Sequence, residues 1–144
     1  METRQLATFT VDTLLFGVEV YKVQEVIRYQ EMTAVPLAAH GAAGLINLRG
    51  EVVTAIDMRL RLGLPPRADG VLPMNVVVRV DDEPVSLLVD AIGDVAHVSV
   101  EQFEEPPETM TGPGRSLVTG AYKLDNRLLL ALDVARAVDI AVAV

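Results

Sequence analysis

The two halves of this chain repeat one order of sequence patterns. Residues 11–26 align without gaps on residues 80–95, with apolar positions falling on apolar positions. Beyond these segments, a glycine precedes an aspartate by thirteen residues in each half, at Gly44–Asp57 and again at Gly120–Asp133. Each half therefore reads as a hairpin, a helical turn, a strand, a loop and a second hairpin, which gives five strands per half.

A five-stranded antiparallel unit of this size normally closes into a barrel, because closure removes its exposed edges. The repeat therefore predicts an all-β fold of two similar five-stranded β-barrels packed together, with short helical turns and a short C-terminal helix at Val134–Val138. We place the first barrel at about residues 12–80 and the second at about residues 81–138, and the N-terminal strand can pair with either. The Pro- and Gly-rich segment Arg61–Pro73 marks the midpoint.

The most distinctive hairpin of the first half lies between Gly44 and Asp57. Two apolar runs, Leu45–Leu48 and Val52–Ile56, flank the pair Arg49-Gly50. Glycine supplies the positive φ that a tight turn needs, so the pattern predicts a β-hairpin with a charged tip. An arginine at such a tip is usually only solvated. Its place between two strongly apolar strands makes Arg49 a candidate contact residue.

The spacing of Val23, Val26 and Ile27 (i, i+3, i+4) predicts one helical turn, followed by a third strand at Arg28–Val35. Composition sets further limits. The 144 residues are 51% hydrophobic but only 4% aromatic, so branched aliphatic side chains must form the core. The absence of cysteine excludes disulfides and thiolate chemistry.

The net charge of −8 opposes binding to a phosphate backbone, so we expect no nucleic-acid partner. The first residues lack the apolar run of a signal peptide, and no stretch is long and apolar enough for a membrane span. We therefore expect a cytoplasmic protein without direct membrane insertion.

The most enzyme-like feature is a set of three aspartates, each at the end of an apolar strand: Asp57, Asp90 and Asp133. Two such carboxylates held close together would share a proton, as a small aspartate-dependent hydrolase requires. Aspartates at strand ends more commonly cap the turn that follows, and we favour that interpretation. His40 and His97 have no second ligand at a metal-type spacing, and no phosphate-binding glycine motif is present. The sequence predicts no catalytic residue, no metal and no cofactor, and favours a protein-binding module.

Four segments resemble the CheW family of chemotaxis adaptors, and the resemblance spans about residues 5–138: Lys22-Val-Gln-Glu-Val-Ile, Gly44–Arg59, Leu87-Leu-Val-Asp and Gly120–Asp133. It implies two barrels of SH3-like topology and a non-catalytic adaptor, monomeric in isolation. Such adaptors couple the histidine kinase CheA, through its CheW-like regulatory domain, to the cytoplasmic tips of methyl-accepting chemoreceptors in membrane-associated arrays. A CheW-like scaffold of another chemosensory pathway, serving twitching motility or gene regulation, is the alternative within the binding class.

The resemblance also implies residue roles. A receptor-side role is carried onto residues from the two halves, namely Val23, Glu25, Arg49, Val85, Leu87 and Val89. A kinase-side role is carried onto the first barrel, at Pro36, Leu37 and Gly44. We further expect Arg49 and Glu25 to form an ion pair that fixes the hairpin tip, with little effect on stability if it is exposed.

Overall fold

The computed structural model describes residues 2–33, 42–108, 110 and 112–139. Within that part of the chain the structure is mostly β. The strands of the first half are β1 (Thr3–Val11), β2 (Leu14–Glu19), β3 (Val23–Ile27), β4 (Ala42–Leu48) and β5 (Glu51–Asp57), and helix α1 (Met58–Arg61) follows them. The strands of the second half are β6 (Met74–Val80), β7 (Glu83–Val89), β8 (Ala91–Ser99), β9 (Phe103–Glu104), β10 (Val118–Lys123) and β11 (Leu128–Leu132), followed by helix α2 (Val134–Val138).

The strands form two sheets of matching order. One sheet runs β3-β6-β7-β5-β4, and the other runs β8-β1-β2-β11-β10 with the short β9 beyond it. Under the sequence repeat β3 corresponds to β8, β6 to β1, β7 to β2, β5 to β11 and β4 to β10, so the two orders are equivalent. The predicted fold of two similar small β-barrels with short helical turns and a short C-terminal helix is confirmed.

The two halves exchange their first hairpins. Hairpin β1–β2 lies in the sheet of β8, β10 and β11, while hairpin β6–β7 lies in the sheet of β3, β4 and β5. Parallel pairs join each hairpin to its host, β2 with β11 and β7 with β5. The predicted barrel limits, 12–80 and 81–138, do not follow this pairing: the first barrel spans Val23–Val89, and the second combines Thr3–Glu19 with Ala91–Leu132. Both hairpins carry the same apolar pattern, so the sequence does not reveal the exchange.

Each barrel closes where a segment that follows its first strand reaches its last strand. In the first barrel, Thr33 and Leu45 exchange two backbone hydrogen bonds of 2.8 Å. In the second, β9 pairs with β10. A Cβ added to Gly44 would lie 2.6 Å from the carbonyl oxygen of Thr33, and one added to Gly120 would lie 2.5 Å from that of Glu104. The two glycines of the repeat therefore stand where closure needs a bare backbone.

The predicted helical turn at Val23–Ile27 is wrong, because these residues form strand β3 after a 3₁₀ turn at Val20–Lys22. The predicted strand at Arg28–Val35 is wrong over its described part, because β3 ends at Ile27 and only Thr33 makes a β-bridge, to Leu45; residues 34 and 35 lie outside the described residues. The register of β3 against β6 shifts between Val23 and Glu25, which marks a β-bulge. A bulge inserts one extra residue and so places Val23 and Val26 on one face of a strand, three positions apart. That spacing imitates a helix in the sequence.

The main core lies between the two sheets, and each barrel has a smaller cluster inside it. Buried residues from both sheets form the shared core, among them Phe9, Val11, Phe16, Val18, Val76, Val78, Leu87 and Val89. The interior of the first barrel is lined by Ile46, Leu48, Val53, Ala55, Val77 and Leu88. Each sheet of the packed pair therefore has one face on the shared core and one on its own interior.

Candidate functional site

Arg49 and Glu25 form a two-point ion pair, as predicted. Arg49 donates from Nη1 to Glu25 Oε2 and from Nη2 to Oε1, each over 2.7 Å. The side chain of Arg49 is 72% exposed and that of Glu25 is 18% exposed. These hydrogen bonds lower the pKa of Glu25 and raise the pKa of Arg49. The pair lies on what we call the closing seam, where β3 and the residues up to Thr33 meet β4 and its turn.

The backbone of Arg49 is held in a conformation that arginine rarely adopts. Arg49 has φ of +52° and Gly50 has φ of +86°, and the Gly50 N–H donates to Asn47 Oδ1 over 2.8 Å. Turns with two positive φ values favour asparagine or glycine at the first position, because a larger side chain is strained there. Arginine at residue 49 is therefore not favoured by the stability of the turn, which points to a role in recognition.

Other predicted receptor residues lie on a different face of the sheet from Glu25. Val23 pairs with Val78, which pairs in turn with Val85, so the three form a row across the sheet. Val23 and Val85 are half-buried and pack against the shared core. Glu25 instead pairs with Val77, whose side chain lines the interior of the first barrel. The structure thus brings Glu25 and Arg49 together and leaves Val23 and Val85 apart from them.

Two predicted receptor contacts are wrong for a simple reason. Leu87 and Val89 are fully buried in the core between the sheets, so their side chains cannot reach a partner. On the kinase side, Pro36 and Leu37 lie outside the described residues. Gly44 is buried beneath Thr33 and has no side chain to offer, so its observed role is steric.

The repeat identifies exposed apolar residues that the sequence interpretation did not single out. Under the repeat, Val23 corresponds to Ile92 and Val26 to Val95. Ile92 pairs with Phe9, and Val95 pairs with Ala7 on the same face of β1. That face packs on the shared core, yet Val95 is 49% exposed, and Val26 and Ile92 are exposed as well. We call Val23 and Val26 on β3, with Ile92 and Val95 on β8, the apolar strips.

The aspartates at the ends of strands act as caps and counter-ions. Asp57 accepts a hydrogen bond from the Arg59 N–H, and Asp133 accepts one from the Arg136 N–H, so each caps the helix that follows it. The predicted capping role is confirmed for these two residues. Asp90 instead lies at the crossover from β7 in one sheet to β8 in the other.

Asp90 is the centre of a charged cluster. Its Oδ2 accepts from Arg59 Nη2 over 2.6 Å and from the Asp12 N–H over 2.6 Å. Arg67 Nε lies 2.9 Å from Asp90 Oδ1, and Arg67 Nη1 lies 3.1 Å from Asp57 Oδ1. Burial alone would raise the pKa of Asp90, but the hydrogen bonds from Arg59 and Asp12 and the charges of Arg67 and Arg59 outweigh it, so the pKa is lowered.

A lowered pKa does not suit a carboxyl group that must hold and release a proton near neutral pH. Among the described residues, no three His, Cys, Asp or Glu side chains are grouped so as to hold a metal ion. In the same part of the chain, every helix is too short or too polar to cross a membrane. The exposed seam and the apolar strips are instead features of a protein-binding surface.

Comparison with known proteins places these features in a family. The family model described as CheW-like domain matches residues 5–141. The chemotaxis protein CheW of Treponema pallidum is 29% identical over 137 residues, which cover 92% of this chain and 81% of that protein. The probable chemotaxis protein CheW of Rhizobium etli is 31% identical, over 90% of this chain and 84% of that protein.

A solved structure shares the fold over almost its whole length. The crystal structure of the scaffolding protein TtCheW from Thermoanaerobacter tengcongensis superposes with a TM-score of 0.84 and 23% identity. The match covers 96% of this chain and 94% of that one. The arrangement of two SH3-like barrels is therefore common to both proteins.

Proposed function

Because the chain belongs to the CheW-like family of chemotaxis coupling proteins, we propose that it joins the histidine kinase CheA to the cytoplasmic tips of methyl-accepting chemoreceptors. Proteins of this family are non-catalytic scaffolds. The kinase contact would use the CheW-like regulatory domain of CheA, and the receptor contact would use a helical hairpin. The protein would then act in the cytoplasm, recruited to membrane-associated receptor arrays.

One observation carries the proposal for the first barrel. Arg49 is exposed at a hairpin tip, in a strained backbone conformation, and its guanidinium is oriented by two hydrogen bonds to Glu25. The matching turn of the second barrel contains Asp125 and Asn126, so the fold itself does not require arginine. A fixed, exposed guanidinium offers a partner both charge and directed N–H donors.

The apolar strips support the receptor side of the proposal. An amphipathic helix binds by laying its apolar face against exposed apolar side chains, and receptor tips are helical in the proposed complex. Val23 and Val85 stay in the proposed receptor set with Glu25 and Arg49, and Val26, Ile92 and Val95 join it. We keep the kinase side on the first barrel, next to Gly44 and by resemblance at Pro36 and Leu37.

Replacing Arg49 with asparagine is expected to weaken binding while leaving the fold intact. Asparagine tolerates the left-handed backbone at this turn, so the midpoint of thermal unfolding should stay within about 3 °C of wild type. Loss of the oriented guanidinium should weaken binding of a receptor-tip fragment or of the CheA regulatory domain by about tenfold or more. Isothermal titration calorimetry with each partner measures both affinities.

The matched control is Lys123→Asn, which removes an exposed positive charge near the corresponding hairpin of the second barrel. Among the described residues, the Lys123 ammonium has one ionic contact, with Glu104 over 3.9 Å, and its side chain is as exposed as that of Arg49. Its binding should equal that of wild type. Wild-type affinity of Arg49→Asn for both partners would contradict the role of Arg49, and a wild-type chain that binds neither partner would contradict the proposed function.

Replacing Val95 with aspartate tests the apolar strips. A carboxylate at this half-exposed position would be desolvated without a partner when a receptor helix docks, so receptor-tip binding should fall by about tenfold or more. Kinase binding should change far less. Val71→Asp serves as control, since Val71 is exposed in the segment between the two halves of the chain. If Val95→Asp and Val71→Asp bind the receptor tip equally well, β8 is not part of the surface that contacts the receptor.

A further inference from the structure

A pair of polar side chains is buried inside the first barrel. Asn75 on β6 and Ser86 on β7 are both fully buried. The Ser86 hydroxyl donates to Asn75 Oδ1 over 2.6 Å, and Asn75 Nδ2 donates to the carbonyl oxygen of Arg28 over 3.1 Å. These bonds connect β7, through β6, to the first residue after β3. The pair therefore holds the point at which the chain leaves the sheet.

The second barrel shows that the fold does not need this pair. The same repeat register places Leu6 at the position of Asn75 and Gly17 at that of Ser86, and the strand pairing agrees with this alignment. Leu6 is buried among apolar neighbours. Burying an amide and a hydroxyl costs desolvation free energy that their hydrogen bonds must offset, and replacing both partners with apolar groups of similar shape can be neutral for stability or even favourable. A pair of polar residues in one barrel alone calls for an explanation other than stability.

The position of Arg28 supplies that explanation. Arg28 follows Ile27, the last residue of β3 to pair with β6. It lies between the two contacts that hold the closing seam, the Glu25–Arg49 ion pair before it and the Thr33–Leu45 backbone bonds after it. A shift of the Arg28 carbonyl would move both contacts, because only two residues separate it from Glu25 and four from Thr33.

We propose that Asn75, oriented by Ser86, is a positioning residue that fixes the closing seam and thereby the direction in which Arg49 meets a protein partner. The part of this inference that concerns the partner rests on the proposed function. The part that concerns the seam does not, and the two can be measured separately. Asn75 and Ser86 touch no partner themselves, since both are buried.

The test replaces both residues with those of the second barrel, as Asn75→Leu with Ser86→Gly. Removing both polar partners together leaves neither side chain unsatisfied, so the fold should persist. Amide hydrogen exchange of Leu45, whose N–H donates to Thr33, should become about tenfold faster or more. The amides of Ala121 and Tyr122, in the β9–β10 pair of the second barrel, serve as the internal control and should not change.

Affinity for the CheA regulatory domain and for a receptor-tip fragment is measured on the same variant. Faster exchange at Leu45 together with binding weakened by about tenfold supports the inference. Unchanged exchange overturns it, and so does faster exchange with wild-type binding. If wild type itself binds neither partner, the proposed function fails, while the exchange at Leu45 still decides whether the pair fixes the seam. If the double variant does not fold, the same exchange and affinity measurements are made on Ser86→Ala, which removes only the hydroxyl that orients Asn75.

Discussion

Replacing Asp90 with asparagine is expected to lower the free energy of unfolding by about 3 kcal/mol at neutral pH. The reason is the environment of the two arginines that face Asp90. The side chain of Arg67 is only 8% exposed, and within the described part of the chain its Nε has no partner in hydrogen-bonding geometry beyond the ionic contact with Asp90. Asparagine is nearly isosteric but uncharged, so it removes the carboxylate shared by both arginines and, among the described residues, leaves Arg67 paired only with Asp57 at 3.1 Å and Arg59 only with Asp12 at 3.7 Å. Equilibrium denaturation with urea measures the difference.

The lowered pKa of Asp90 predicts how the stability difference between wild type and Asp90→Asn depends on pH. The folded-state pKa of Asp90 lies below its ordinary value of 3.8. A carboxyl group with a lowered folded-state pKa contributes stability that is fully present above its unfolded-state pKa and is lost as the pH falls through the folded-state value. The gap in unfolding free energy between wild type and Asp90→Asn should therefore be constant near neutrality and close only in acid below about pH 3.8.

Glu104→Gln is the control for loss of a carboxylate charge. Glu104 lies 3.9 Å from Lys123, and both side chains are more than half exposed, so its replacement should change stability by no more than about 0.5 kcal/mol. An Asp90→Asn variant as stable as this control would show that the charged cluster around Asp90 does not contribute to stability. A gap that persists unchanged into acid would show that its origin is not the Asp90 charge.

Much of the fold could be predicted because the repeat encodes it locally. The turn at Arg49-Gly50, the caps at Asp57 and Asp133, and the C-terminal helix each depend on a few neighbouring residues whose conformational preferences are strong. The Glu25–Arg49 pair followed from the family resemblance and is confirmed as a contact. Its role in binding stays a prediction.

What the sequence did not reveal depends on contacts between the halves. The exchange of hairpins is invisible locally, because β1–β2 and β6–β7 present the same alternation and either sheet could accept either hairpin. The same exchange buries Leu87 and Val89 between the sheets, where a receptor cannot reach them. In the sequence, the β-bulge in β3 cannot be told from a helical turn, since both give apolar residues three positions apart.

Replacing Gly44 or Gly120 with alanine is expected to destabilise the protein by about 2–3 kcal/mol in each case. The new methyl group would collide with a backbone carbonyl, that of Thr33 at 2.6 Å or that of Glu104 at 2.5 Å. A backbone segment held by hydrogen bonds on both sides cannot move aside as a flexible side chain can. Each barrel would have to loosen its closing contact, and urea denaturation measures the cost.

Gly70→Ala separates this steric effect from the general loss of a glycine. None of the residues that the structure describes has an atom within 4 Å of a Cβ at Gly70, so its φ of +84° is what opposes alanine there, at about 1 kcal/mol. If alanine at Gly44 and Gly120 lowers stability no more than alanine at Gly70, the backbone segments at Thr33 and Glu104 move aside to admit the methyl group.

The same two variants also test whether the closing seam contacts the kinase. If Gly44→Ala weakens kinase binding while Gly120→Ala, at equal cost in stability, does not, then the closing seam of the first barrel takes part in that contact. If both variants weaken it equally, Gly44 acts on binding only through the stability of the fold.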